Sequence, residues 1–276
     1  MQPIGFFDSG IGGITVLREV RRQLPEENLL YLADQAHCPY GPRPPDELRA
    51  IAAACAGWLI DRGAKLVVVA CNTASAAALA DLRRRFADPP FVGMVPPVKP
   101  AAAHTRSGVV GVLATPATLA GDLLRDVIDH WANGVRVVSQ ACPGLVEHIE
   151  EGAFDSLATT ALLRQYAMPL LDAGADTIVL GCTHYPLLLP QLRALVGDDI
   201  HLLDAAPAVA QRVAQVLQER GLTGAPTGTP GSVTYATTGD PTRLADLIDR
   251  LDLPRGRVEQ AMLGECAAQN GSGHPA

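Results

Sequence analysis

Residues 174–186 read GADTIVLGCTHYP. A Gly-Ala pair leads into a short aliphatic run. The run stops at a small residue followed by Cys182, with His184 two positions on. Residues 63–75, GAKLVVVACNTAS, repeat the pattern and put Cys71 at the same point. Aliphatic runs without polar alternation are the mark of strands buried on both faces, as in parallel sheets covered by helices. A side chain just past such a strand lies at its carboxyl end, where open parallel α/β sheets bind ligands.

Outward from these two stretches, strand-like and helix-like segments alternate. PIGFF (3–7) precedes a Gly-rich turn and the helical pattern ITVLREVRRQL (14–24), and NLLYLAD (28–34) reads as the next strand. PDELRAIAAACAGWLIDRG (45–63) has the Pro-Asp start and Gly stop of a helix, and ASAAALADLRRRFA (74–87) reads as another. FVGMV (91–95) is a further strand, followed by the proline-rich PPVKPAA (96–102). The order then repeats: GVVGVLA (108–114), the helix TLAGDLLRDVIDHW (118–131), VRVVSQA (135–141), the helix 157–174, the strand 176–181 and the helix 187–197. This alternation predicts an α/β fold with parallel sheets. PIGFFDSGIGGITVLREV and GVVGVLATPATLAGDLLRDV both read as strand, polar turn and helix, and the separations match: 63 positions from Asp8 to Cys71, 67 from Thr115 to Cys182. The pattern predicts two related, pseudo-symmetric α/β domains with a cleft between them. The first covers 1–97 and regains the chain at 209–262, where a helix (208–221) and a strand-like SVTYATTG (232–239) follow. The second covers 98–208, and 263–276 is expected to be a disordered tail.

Composition narrows the function classes. The net charge is −7 with no long run of either sign, which argues against nucleic acid as the main partner. No apolar stretch nears the ~18 residues of a membrane span, and MQPIGFFDSG lacks a secretory pattern, so a cytoplasmic protein is expected. The six cysteines (38, 55, 71, 142, 182 and 266) are widely spaced with no CxxC pair. Free thiols are expected, with no disulfide framework or structural zinc. Lys65 and Lys99 are the only lysines, which restricts any Schiff-base cofactor such as pyridoxal phosphate.

Two thiols at equivalent strand ends can face one another across a cleft. That suits a racemase, which takes a proton from one face of a carbon and returns one to the other, with thiolate as base and thiol as acid. His184 can exchange a proton with Cys182, and Asn72, Thr73 and Thr183 are polar neighbours. In FDSGIGGIT, Gly10, Gly12 and Gly13 let backbone amides approach an anion at a helix start, and a ligand carboxylate is expected there. Thr15 stands where a dinucleotide fingerprint needs its third glycine, and no Gly-Lys pair makes a phosphate loop. Asp8 ends its strand as partner for the first thiol or a ligand ammonium, with an N-cap role equally compatible. Asp34 also ends a strand, Tyr40 and Gly41 form a turn able to touch a ligand, and Cys142, with no base beside it, reads as structural. A metal-dependent hydrolase using Cys182 and His184, and a non-catalytic binding protein, are the other classes.

FDSGIGG (7–13), PYG (39–41), CNTAS (71–75), ATPAT (114–118), ACPGLVEHIEEG (141–152), LGCTHYPLL (180–188) and TTGDP (237–241) together resemble the glutamate racemases of the cofactor-independent aspartate/glutamate racemase superfamily. The resemblance runs over residues 4–262. It implies two α/β domains with the active site between them, and interconversion of L- and D-glutamate for peptidoglycan precursors without pyridoxal phosphate or metal. It implies that Cys71 acts on D-glutamate, assisted by Asp8, and Cys182 on L-glutamate, assisted by His184 and by Glu150 or its neighbour Glu151. Ser9, Tyr40, Gly41, Asn72, Thr73, Thr183, His184, and Thr115 or Thr118 would contact substrate. Oligomeric state stays open, a homodimer among the options. The chain departs from the family pattern at Pro96, where a glutamate is usual, and at Ala117, where a glycine is usual.

Overall fold

A computed structural model describes residues 2–224 and 228–264. Its strands form two all-parallel sheets. The first contains β1 (Ile4–Asp8), β2 (Leu29–Ala33), β3 (Leu66–Val69), β4 (Phe91–Val92), β9 (Val233–Thr237) and β10 (Arg257–Gln260). The second contains β5 (Val109–Ala114), β6 (Arg136–Ala141), β7 (Thr177–Gly181) and β8 (His201–Leu203). The strand orders are β10-β9-β2-β1-β3-β4 and β6-β5-β7-β8. Without β9 and β10, the two orders are the same: the first strand lies between the second and third, and the fourth is outside the third. The repeat seen in the sequence is therefore a repeat of topology.

This order fixes where the site can form. In each sheet the chain reverses its direction of winding between the first and third strands, and the helices on either side diverge there. Phe7 pairs with Val69 in one sheet, and Ala114 with Gly181 in the other. The residues just beyond these pairs lead directly to Asp8, Cys71, Thr115 and Cys182. β1, β2, β3 and β7 are buried throughout, as their unbroken apolar runs require. One apolar cluster extends from Phe6 and Val68 of the first sheet to Leu113 and Leu180 of the second, so the two regions share core packing.

Several segments differ from the sequence reading. The helix expected from residue 74 begins at Asn72, immediately after Cys71, which becomes its N-cap. The 118–131 segment is two helices, Pro116–Ala120 and Asp122–Trp131, divided at Gly121, whose extended φ and ψ interrupt the turn. The proline-rich linker contains a helix, Val98–His104, that buries Val98 and Ala101. Its Pro100 sits within the first turn, where a missing N–H costs no internal bond. β8 and β10 carry no strand signal in the sequence, being short and at most half-buried at sheet edges. Residues 265–276, including Cys266 and most of the expected tail, lie outside the described residues. The five cysteines within them are free. Among the described residues no helix is long and apolar enough to cross a membrane.

At the amino end of the first sheet, Lys65 and Glu27 form a buried ion pair, Nζ to Oε2 2.7 Å. The ammonium also donates to the Leu222 carbonyl at 2.8 Å, which ties the chain after the helix Ala206–Glu219 to the foot of β3. Removing one partner leaves a buried charge alone. Lys65→Met is expected to destabilise the protein by about 3–5 kcal/mol, and Lys65→Met with Glu27→Leu by much less. Urea denaturation checks this; equal losses in the single and double variants would show that the pair is not coupled.

Candidate active site

Cys71 follows β3 and Cys182 follows β7, and both line one cavity of about 100 Å³ at the carboxyl ends of the two sheets. A single water needs ~10–15 Å³ on this measure, so the space fits a small molecule and excludes a polymer segment. Ser9, Tyr40, Gly41, Asn72, Thr73, Thr115 and His184 also line it. Asp8, Thr118 and Thr183 lie behind this wall, and Glu150 lines a second cavity.

On the Cys71 side, the first turn of the helix Asn72–Arg85 directs the Ala74 N–H at the sulfur. Asp8 stands beside the same thiol, near enough for each to shift the other's proton affinity. The Asp8 carboxylate is fully buried and accepts from Ser9 N at 2.7 Å, from Gly13 N and from Thr183 Oγ1 at 3.2 Å. Burial raises the Asp8 pKa, although His184 and its hydrogen bonds oppose this. Burial and the nearby Asp8 charge push the Cys71 thiol well up. A carboxyl with a raised pKa beside a thiol with a raised pKa is a pair between which a proton can pass.

On the Cys182 side, the His184 ring lies between sulfur and carboxylate. Nδ1 is 3.8 Å from Cys182 Sγ, and Nε2 is 2.7 Å from Glu150 Oε1. Burial disfavours the charged ring, but hydrogen bonds to Cys182 and Glu150 and the charge of Asp8 outweigh it, and His184 sits well above the usual histidine range. Burial would raise Glu150, yet its bond to His184⁺, with donors from Gln35 and Ile11, brings it below the usual carboxylate range. Glu150 Oε1 accepts the Ile11 N–H at 2.6 Å, and Oε2 accepts from Gln35 Nε2 at 2.9 Å. Of the adjacent glutamates, Glu150 is the one bonded to His184; Glu151 stands at the outer cavity.

The glycine turn does other work than expected. Its amides at Ile11 and Gly13 are taken by two carboxylates of the chain, Glu150 and Asp8. A Cβ at Gly10 would overlap the Glu150 carboxylate, and one at Gly12 the His184 ring. The glycines let Glu150 and His184 of the second region come close; the anion at this turn is supplied by the protein itself.

Polar groups of the cavity wall fall into bonded and free sets. Thr73, Thr115 and Thr118 form a hydroxyl cluster joining the two regions, with Thr73 Oγ1 2.9 Å from Thr115 Oγ1 and 3.3 Å from Thr118 Oγ1. Thr115 caps the helix Pro116–Ala120 by accepting the Thr118 N–H, and of these two residues it is Thr115 that lines the cavity, together with Thr73. Tyr40 turns its ring to the cavity but donates its hydroxyl to Asp34 at 2.6 Å. Asp34 also accepts from Thr238 at 2.8 Å and from His37, which makes it a buttress for the Tyr40–Gly41 turn. The Asn72 amide is buried in the wall, and neither its oxygen nor its nitrogen has a partner among the described residues. Leaving such a group unpaired costs about 1–3 kcal/mol, which a polar ligand recovers. Cys142 lines the cavity with its thiol on the Gln140 carbonyl at 3.4 Å, and burial pushes it up to about 12, so it stays a neutral wall group.

Gln35 and Glu147 were not singled out from sequence. Gln35 follows Asp34 at the end of β2, where the strand-end rule already pointed. Glu147 precedes Glu150 by one helical turn and therefore shares its face, and it lines both cavities.

A thiol on each side of one small polar cavity, each beside a group able to carry its proton, defines a class of enzyme that moves protons on a small molecule. The chain belongs to the Asp/Glu/Hydantoin racemase family, whose model matches residues 12–213. It is 78% identical over 262 residues to the glutamate racemase of Roseiflexus sp. (strain RS-1), covering 95% of this chain and 96% of that protein. Among solved structures, glutamate racemase isoform RacE1 from Bacillus anthracis superposes with a TM-score of 0.84 at 32% identity, over 95% of this chain and 98% of the other. Escherichia coli glutamate racemase in complex with L-glutamate and the activator UDP-MurNAc-ala gives 0.83 at 31%, over 96% and 100%.

The two shifts of the His184–Glu150 pair set a pH window. Glu150's folded pKa is depressed, so its contribution to stability is present above its unfolded value of about 4.5 and is lost as pH falls through the folded value. His184's is raised, so its contribution is complete below about 6.5 and is lost as pH rises through the folded value. In Glu150→Gln the imidazole loses its anion and burial regains weight, so the His184 midpoint is expected to fall. NMR titration of labelled histidine reads it directly; an unmoved midpoint would assign the proton's retention to Cys182 and Asp8 instead.

Proposed function

We propose that the chain racemises glutamate by a two-thiol mechanism and supplies D-glutamate for peptidoglycan precursors. The observation that carries this reading is the pair of thiols lining one cavity, each with its own proton relay. The names of the relatives support glutamate as substrate.

From D-glutamate, Cys71 passes its proton to Asp8 and its thiolate takes the α-proton. The electron pair of the broken C–H bond stays on the α-carbon and delocalises into the carboxylate. The Cys182 thiol then protonates the opposite face, and His184 restores the proton to its sulfur while Glu150 holds the ring. From L-glutamate the thiols exchange roles. Asp8 and His184 thus serve as the two relays, and Glu150 as the positioning group behind His184. The Asn72 amide offers an acceptor for the substrate ammonium and donors for a carboxylate. Ser9, Thr73, Thr115 and the Tyr40–Gly41 turn bound the substrate, with Thr183 and Thr118 supporting from behind. The domain division proposed with this reading, 1–97 with 209–262 against 98–208, puts one thiol on each side.

The reading assigns no pyridoxal phosphate, since thiols supply both acid and base. Lys65 is held in its ion pair with Glu27, and Lys99 lies 3.5 Å over the Trp131 ring, so neither lysine faces the cavity to carry a Schiff base.

Purified protein given L- or D-glutamate without added cofactor is expected to racemise both, as read by circular dichroism. In deuterated water the product should gain deuterium at the α-carbon. Cys71→Ser and Cys182→Ser should each lose at least about a thousandfold in turnover, on the order of 4 kcal/mol of barrier. Wild-type turnover in either variant, or product free of solvent deuterium, would overturn the two-thiol route. Gly12→Ala, which pushes on His184, should keep the far-ultraviolet spectrum and lose at least about tenfold in turnover, about 1.4 kcal/mol; full activity would mean that His184 tolerates displacement.

A further inference from the structure

Behind the Glu150–His184 contact lies the second cavity, about 280 Å³, separate from the one between the thiols. Its lining includes Glu147, Glu150, Glu151 and Asp240, with Arg243 as the only basic side chain. Four carboxyl groups against one guanidinium make its mouth attractive to cations. At its inner wall, Cys38, Glu150 and His184 each offer one ligand atom, and the three atoms lie within 4.8 Å of one another. Cys38 and Glu150 line the cavity itself, and the buried His184 ring stands behind them.

We propose that Cys38, Glu150 and His184 form a binding site for a thiophilic divalent cation of the zinc type, reached through this second cavity and inhibitory when filled. Zinc bonds of about 2.0–2.3 Å put neighbouring ligands roughly 3.3–3.8 Å apart, so any separation up to 4.8 Å needs to close by at most about 1 Å, while His184 Nε2 and Glu150 Oε1, now 2.7 Å apart, open slightly to admit the ion. A thiolate, an imidazole and a carboxylate are the donor types that favour zinc over magnesium or calcium, and three protein ligands leave a fourth position for water. On binding, two protons leave to solvent, one from the Cys38 thiol and one from between His184 Nε2 and Glu150 Oε1, and the ion takes the place of the second. The ring is then fixed to the metal and no longer returns a proton to Cys182. The effect on turnover rests on the proposed racemisation; the binding of the ion does not.

The test uses the full chain with zinc or cobalt(II) chloride as probe. Zinc is expected to inhibit racemisation, with recovery on adding a chelator. Cys38→Ala and the more conservative Cys38→Ser should keep metal-free turnover and need at least tenfold more zinc for half-inhibition. Cobalt should saturate at one ion per chain, with a thiolate-to-cobalt charge-transfer band in the parent that disappears in Cys38→Ala. Cys38→Ser serves the same comparison should the alanine variant not fold. No charge-transfer band in the parent, a band that persists without Cys38, or unchanged zinc sensitivity in the variants would overturn the proposal, the last two placing the ion on Cys71 or Cys182. If the parent does not racemise glutamate, the functional reading fails and the cobalt spectra still decide the site.

Discussion

The Glu150 carboxylate accepts from three separate parts of the chain: the Ile11 amide in the glycine turn, Gln35 beyond β2 and His184 beyond β7. A nearly buried carboxylate is costly unless its lone pairs are taken, and here they are taken by groups from both α/β regions. The constraint works in two directions. The charge needs the two regions together, and it can have them together only because positions 10 and 12 carry no Cβ. Thr183, from the second region, donates in turn to Asp8 in the first. The hydroxyl cluster of Thr73, Thr115 and Thr118 makes a third crossing. The cavity is therefore walled by groups that also hold its two sides together.

Strand ends were readable from sequence because a strand buried on both faces has nothing but aliphatic side chains, and the first polar or reactive residue after it marks the end. Cys71, Cys182, Asp8 and Thr115 all follow from that rule. The matching of the two halves also survives in the structure, as a shared strand order. Segments that gain their shape from tertiary neighbours were not readable in this way. The helix Val98–His104 hides in a proline-rich stretch, and its stability comes from burying Val98 and Ala101.

The glycine turn shows a different limit. Its sequence says that amides are free to bind an anion, and they do bind one. Which anion is a question of what arrives from elsewhere in the chain, and no local pattern carries that information. The same holds for Glu150 against Glu151. Glu150 ends the six-residue helix Leu145–Glu150 and Glu151 is its C-cap, and successive residues there point about 100° apart, so only the position of that helix relative to His184 decides between them. Asp34 is the converse case. By position it stands equal to Asp8, but its lone pairs are spent on Tyr40, His37 and Thr238, which turns an acid at a strand end into support for a binding loop.

The two halves repeat a topology but not a chemistry. Beyond β3 the thiol meets a carboxylate whose pKa is raised; beyond β7 it meets an imidazole that a second carboxylate keeps protonated. Unlike helpers set the two sides apart: one offers a proton acceptor and the other a proton donor. Asp8 and His184 also feel each other's charge, since each stabilises the ionised form of the other. A proton gained on one side of the cavity therefore alters the balance on the other, and Thr183, adjacent to His184 and bonded to Asp8, keeps the two helpers at a fixed separation. The duplicated strand order brings the thiols to one cavity, and the unlike residues beside them, a carboxylate on one side and an imidazole on the other, are what the duplication does not repeat.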